Sequence, residues 1–307
     1  MSDERDKRDQ HGRILDGAFL DSLDTLDLYV HQAKSGHFSG TRRSLAYGSS
    51  PEFADYRDYV QGDDLRRIDW NLAGRFDKYY IKRFIDEKQG RNRVYLDQSA
   101  SMGVGTGKGM MALRLAAALG YLSVSNMDCV SYRLLRGRTS EDLCGSIAGR
   151  ERFYAAIRKL ETVAFAGETD LGAAIRSDTG AGFDDGVSYI ISDFLTDSDW
   201  KGAVDVLLGR RREVAVIQVL SPEEMAPVFH GSHTFSDVES LRAGDGKRVS
   251  VEVNREALAA YQRALDGFLK DIRRFCASRG VPFMTVRSDE RIEDVLLARG
   301  CVEELIR

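Results

Sequence analysis

The chain has 307 residues, 43% of them hydrophobic and 30% charged, with a formal net charge of −4 and a pI of about 5.8. That length and apolar content suit one large domain with additions, and the near-balanced charge excludes a global basic field of the kind that gathers nucleic acid or anionic lipid. Four cysteines, Cys129, Cys144, Cys276 and Cys301, are widely spaced without a C-x-x-C pair and fit reduced thiols in a cytosolic protein.

In chain order, the opening MSDERDKRDQHGR is charged throughout and lacks the apolar segment of a secretory signal. No uncharged run is long enough to span a bilayer; MMALRLAAALGYLSV is short and interrupted by Arg114. The expected location is cytoplasmic, with neither membrane nor nucleic acid as a partner. Ile14, Leu15, Ala18, Phe19, Leu23 and Leu26 recur at helical spacing and predict an amphipathic helix ending before Gly36. From Gly36 to about Gly90 the chain is rich in Arg, Asp, Tyr and Gly without a sustained period. Residues 1–90 are therefore expected to form an N-terminal region packed on a main domain of residues 91–307.

From Arg93 onward, strands and helices alternate, which predicts an α/β fold with a doubly wound, mostly parallel, Rossmann-like sheet. The expected strands are 93–97, 129–135, 187–192, 213–219 and 282–287. The expected helices are 109–125, 151–161, 171–177, 199–209, 255–278 and 290–298. Turn signals at Gly231-Ser232 and Gly244-Asp245-Gly246 predict a β-hairpin near 230–252, appended to the sheet. Leu258, Tyr261, Leu265, Phe268, Ile272 and Phe275 are spaced three and four apart, as expected for one amphipathic helix packed on a sheet.

Two of the apolar runs end in aspartate: Val94-Tyr95-Leu96 leads into Asp97, and Val187-Ser188-Tyr189-Ile190-Ile191 leads towards Asp193. Loops leaving the carboxyl ends of parallel strands gather along one edge, where ligands bind. Asp97, Ser99 and Ser101 in VYLDQSASMG, Thr169 in GETDL and Asp193 in YIISDF would together make an oxygen-only ligand set. Two carboxylates and three hydroxyls suit a hard divalent cation such as Mg²⁺, with Mn²⁺ or Ca²⁺ as alternatives, rather than zinc or a redox metal.

The order of these pieces, Asp97-x-Ser99-x-Ser101 after a strand, then a loop threonine, then a strand-ending aspartate, resembles the metal-ion-dependent adhesion site (MIDAS) of von Willebrand factor A domains. The resemblance implies an A-like fold in which the hydroxyls of Ser99, Ser101 and Thr169 ligate Mg²⁺. It also implies that Asp97 and Asp193 bind directly or through water, and that a partner's carboxylate takes the remaining position. Upstream, EFADYRDY at 52–59 and GDDLRRIDW at 62–70 resemble the signature of the domain-of-unknown-function 58 family. That resemblance implies association with a MoxR-type AAA+ ATPase. Many members carry N-terminal membrane helices, of which this sequence has none, and Gly74 stands where the family often has another small residue before Arg75.

Competing readings attach to each piece. Ser99 or Thr169-Asp170 can be ordinary helix caps. The run Gly103-Val104-Gly105-Thr106-Gly107-Lys108-Gly109 fails both phosphate-loop patterns and reads as a flexible loop entering a helix, whose N-terminus can attract an anion. Asp63, Asp64 and Asp69 are expected to pair with Arg57, Arg66, Arg67 or Arg75, with Trp70 and Tyr59 as apolar anchors. His230 and His233 have the spacing to share a metal but lie in a turn. No nucleophile motif stands out, so the expected role is a non-enzymatic, metal-dependent interaction module. A metal-dependent phosphoester hydrolase, or a scaffold with a vestigial site, are the alternatives.

Overall fold

The structure is a computed structural model that describes residues 14, 17, 19–25, 44–47, 53–76, 78–86, 89–180, 185–227, 231–236 and 248–297. The described residues divide into two compact units, the larger drawn from Met1–Gln32 and Gly90–Ile306, the smaller from Ala33–Gln89.

The smaller unit holds β1 (Ser44–Tyr47), β2 (Phe53–Asp58) and β3 (Tyr80–Asp86) in an antiparallel sheet of order β1-β3-β2. A 3₁₀ turn at Leu65–Arg67 and a short helix at Trp70–Phe76 join β2 to β3. The aspartates here serve three different purposes. Asp63 pairs with Arg57 at 2.7 Å, as expected. Asp64 instead caps the 3₁₀ turn through Arg66 N–H. Asp69 pairs with Lys82 at 3.0 Å rather than with an arginine, and accepts from the Tyr56 hydroxyl and from Asn71 and Leu72 N–H. Those donors hold its carboxyl down to about 2, the Lys82 bond first. Trp70 and Tyr59 do not act as buried anchors: Trp70 is 64% exposed, and both rings meet Tyr79 edge-on.

The larger unit is built on a six-stranded sheet. Its strands are β4 (Arg91–Asp97), β5 (Cys129–Arg136), β6 (Thr139–Asp142), β7 (Val187–Ser192), β8 (Glu213–Leu220) and, after two further strands, β11 (Phe283–Arg287). The order is β11-β8-β7-β4-β5-β6, parallel throughout except for β6, which runs antiparallel at the edge. The fold is therefore α/β, doubly wound and mostly parallel, as expected.

Alternation along the strands sends side chains to two cores. Val94, Leu96, Tyr189 and Ile191 face one, with the helices Lys108–Ser125, Arg150–Leu160 and Ile292–Leu297. Tyr95 and Ile190 face the other, with the helices Leu171–Ser177, Trp200–Gly209 and Arg255–Ala277. Ile14, Phe19 and Leu23, the last two in the helical residues 19–25, are buried in the first core. The long helix buries Leu265, Ile272 and Cys276, the last two in the second core, as expected of an amphipathic helix packed on a sheet.

The ribbon near 230–252 differs in one respect from expectation. β9 (Gly231–Ser236) and β10 (Arg248–Val253) pair antiparallel, but form their own two-stranded sheet instead of extending the main one. The position beside β8 is taken by β11. The turn Gly244-Asp245-Gly246 lies outside the described residues, as do His230 and Cys301. Cys129, Cys144 and Cys276 are free thiols.

Gly120, inside the Lys108–Ser125 helix, exists for close packing: a Cβ there would lie 1.8 Å from the Tyr132 hydroxyl oxygen. Tyr132 is fully buried on β5, so the ring has little room to yield. Gly120→Ala is expected to lower stability by about 1–3 kcal/mol despite alanine's better helix propensity. Urea denaturation would register it as a lower midpoint at an unchanged slope.

Candidate metal centre

Strand order locates the crevice. The chain leaves β4 for β5 on one side and later returns to β7 on the other, so the connections diverge between the carboxyl ends of β4 and β7. In open α/β sheets that divergence is where ligands bind. Asp97 ends β4, and Asp193 directly follows β7.

The structure brings the sequence-expected residues to this edge. Asp97 and Asp193 are each 2% exposed. Ser192, just before Asp193, donates to Asp97 Oδ2 at 2.7 Å and ties the two strand ends together. Asp97 Oδ1 accepts from Ser99 N–H at 2.9 Å. The loop carrying Thr169 is pinned alongside: Ala100 N–H donates to Gly167 O, Ala166 N–H to Gln98 O, and Gly137 N–H to Glu168 O. Thr169 itself lies at the end of β5, its hydroxyl donating to Leu135 O at 3.3 Å.

Capping accounts for none of the three hydroxyls. Ser99 precedes the 3₁₀ turn Ala100–Gly103, but its side chain makes no cap bond. The Leu171–Ser177 helix is capped by Asp170, not Thr169, and the Trp200–Gly209 helix by Asp199. Ser99 Oγ and Ser101 Oγ share a hydrogen bond at 2.9 Å, in which either can donate. Adjacent ligands of an octahedral Mg²⁺ with bonds of 2.0–2.1 Å stand about 2.9 Å apart, so this pair has the spacing of neighbouring ligands. An all-oxygen donor set with two carboxylates fits a hard divalent cation. Among the described residues, no three His, Cys, Asp or Glu side chains gather to hold a metal. The hydroxyls would have to complete any site here.

The electrostatics are those of carboxylates buried at one sheet edge. Burial pushes the Asp97 carboxyl up to about 6, with the Asp193 charge adding to the rise and the Ser192 bond opposing it. Phe194, next in line, adopts φ 58°, a left-handed conformation that costs a non-glycine residue about 1–2 kcal/mol. That turn lets Leu195 N–H reach Asp193 Oδ1 at 2.9 Å. Gln218, fully buried on β8, donates to Asp193 O at 2.9 Å.

One group at the site escaped the sequence reading. Lys108 is not part of a flexible loop: it opens the Lys108–Ser125 helix, is 0% exposed, and donates to Asp193 Oδ2 at 2.8 Å and to Glu224 Oε1 at 2.6 Å. The glycine-rich segment before it is also engaged. Thr106 donates to the Glu223 carboxylate from both N–H and hydroxyl, and a Cβ on Gly105 would meet Ser221 at 2.6 Å. The anion at this loop is thus the protein's own Glu223, whose carboxyl is held down to about 2, mainly by the Thr106 hydroxyl. Ser192 and Gln218 were likewise missed, because their roles depend on long-range partners.

A doubly wound α/β domain with buried carboxylates and hydroxyls gathered at its topological switch point is the class that fold and site define. The chain belongs to the family described as "Protein of unknown function DUF58", which matches residues 55–266. It is similar to uncharacterized protein Rv1480 of Mycobacterium tuberculosis and uncharacterized protein Mb1516 of Mycobacterium bovis, each 26% identical over 91% of this chain and 87% of the relative. Among solved structures it is similar to the conserved hypothetical protein BatB from Bacteroides thetaiotaomicron, with 16% identity, TM-score 0.40, and 71% and 98% of the two chains covered. It is also similar to the SpRpn10 VWA domain, with 11% identity, TM-score 0.33, and 68% and 94% covered. Among the described residues no helix is long and apolar enough to cross a membrane.

Proposed function

We propose that this chain is a non-enzymatic protein-interaction module that captures a carboxylate of a partner through a Mg²⁺ site of MIDAS type. Asp97, Ser99, Ser101, Thr169 and Asp193 would hold the ion, and Mn²⁺ or Ca²⁺ would serve the same oxygen ligands. A bound divalent ion supplies positive charge that two carboxylates only partly neutralise, and so favours one more acidic group. The observation that carries the reading is the state of the hydroxyls: Ser99 and Thr169 cap no helix, and the hydroxyls of Ser99 and Ser101, hydrogen-bonded at 2.9 Å, have a separation that two ligands of one ion would also have.

The chain's own residues do the preparatory work. Ser192 orients Asp97, Gln218 fixes the backbone carbonyl of Asp193, and the left-handed turn at Phe194 sets the direction of that strand end. The partner we infer is a MoxR-type AAA+ ATPase, or a client protein assembled or matured with it, acting in the cytoplasm. Family resemblance supports that pairing, and the acidic-residue preference follows from the cation.

Capture assays with a MoxR-type ATPase would test both parts. Recovery by the wild-type chain is expected in Mg²⁺, with loss to background in EDTA or with Asp97→Ala. Equal recovery in all three conditions would overturn the metal-dependent reading.

A further inference from the structure

Lys108 occupies an unusual place for a lysine. Its side chain is 0% exposed, at the first position of a helix whose interior is apolar. Full burial of an ammonium is costly unless charge and hydrogen bonds compensate it. Here the compensation comes from Asp193 at 2.8 Å and Glu224 at 2.6 Å. Asp193 is one of the two carboxylates in the candidate metal centre.

The second anchor is itself tightly held. Glu224 sits in the short helix Pro222–Met225, capped by Ser221, with its Oε2 accepting from Ser221 N–H at 2.8 Å. Its backbone oxygen accepts from the Tyr261 hydroxyl of the long helix. Lys108 therefore has a fixed carboxylate to remain with if Asp193 turns towards another cation.

We propose that Lys108 is a built-in competitor for the divalent ion: its ammonium balances Asp193 from within the fold, holds the site together without a metal, and lowers the affinity of the site for one. This rests on the cation-site reading above. Two positive species drawn to one carboxylate oppose each other, so a metal gains less from Asp193 than it would from a bare carboxylate. The site is thereby weakly loaded on its own and filled when a partner's carboxylate joins the ion.

The test uses the 307-residue chain with Lys108→Met and, independently, Lys108→Gln, which keeps a donor without the charge. Titration calorimetry with MgCl₂ gives affinity, and thermal unfolding in EDTA and in MgCl₂ gives stability. Either neutral variant is expected to bind Mg²⁺ about tenfold or more tightly than wild type. Each is also expected to lose melting temperature in EDTA and regain it with Mg²⁺. Wild type should respond to Mg²⁺ far less. If wild type binds Mg²⁺ and the folded variants bind it equally or more weakly, the competition is overturned while the cation site stands. If wild type and both variants bind no divalent ion, the cation site and the competition fall together. Variants that stay unfolded with and without Mg²⁺ would also overturn it, since the divalent ion must be able to replace the ammonium.

Discussion

Replacing Asp178 with alanine is expected to destabilise the larger unit by about 3–5 kcal/mol, a large share of a typical domain's stability. Asp178 is 4% exposed and lies at the C-terminus of the Leu171–Ser177 helix. Its Oδ2 accepts from Arg93 at 3.0 Å and from the Tyr95 hydroxyl at 2.9 Å, with Arg133 at 3.5 Å. Arg93 and Tyr95 both belong to β4, so one carboxylate ties a helix end to the central strand. Alanine removes the charge that balances a buried guanidinium, which costs far more than an exposed ion pair would. Tyr95 remains buried; its hydroxyl, pushed up to about 12 by burial and then by the Asp178 charge, stays protonated and loses its acceptor. Asp178→Asn keeps an acceptor and should cost distinctly less. Denaturation of the three proteins side by side measures the difference, and equal stability of Asp178→Ala and wild type would refute the account.

The opposite sign is expected at Asp97. In EDTA, Asp97→Asn should be more stable than wild type at pH 8 by about 1–2 kcal/mol. The ordinary value for this carboxyl is 3.8 and the folded one about 6, a difference worth about 3 kcal/mol once both states are ionised. Part of that gain is offset, because the amide must rebuild its contact with Ser192, at about 1 kcal/mol. The pH dependence has a definite direction. The folded protein keeps this proton where the unfolded chain has lost it, so the cost of ionised Asp97 is absent below pH 3.8 and complete above about 6. The advantage of the variant should therefore grow as pH rises through that window and then level off. Denaturant midpoints at pH 5 and pH 8 would reveal it. A gap that is constant, or that narrows with rising pH, would contradict the buried-charge explanation. A stabilising change at a carboxylate proposed to bind a ligand would be the usual trade between binding and stability.

Much of the larger unit was legible in its sequence because its strands are buried apolar runs. Tyr189-Ile190-Ile191 and Val214 to Val219 declare themselves through hydrophobicity alone. The helix Leu171–Ser177 has both its bounds as expected, its start set by the Asp170 cap and its end by the C-cap Asp178. Strand β6 was not legible: Thr139-Ser140-Glu141-Asp142 has no apolar pattern, and its extended form comes from pairing with Arg133–Arg136 on β5. The sheet of the smaller unit was hidden for the same reason, since Asp55, Tyr56 and Asp58 on β2 are exposed. Non-local pairing decides such segments, and periodicity does not record it.

The candidate site was half legible. Asp97, Ser99, Ser101 and Asp193 stand at strand ends, where topology brings them to one edge. Lys108 was concealed by its neighbours, because glycines on either side suggest a loose loop while its partner Asp193 lies 85 positions away. Asp69 shows the same limit on a smaller scale: the nearby arginines invited pairing, yet Lys82 on β3 took the place.

The bond from Ser192 to Asp97 joins the ends of two strands separated by two helical crossovers. Neither carboxylate alone, nor any short stretch containing one, can reproduce the pocket. A ligand needing both is invisible to the unfolded chain and to a half-assembled sheet, so its binding free energy falls wholly on the finished domain. A ligand of the proposed site would therefore bind only copies in which both strand ends are already in place.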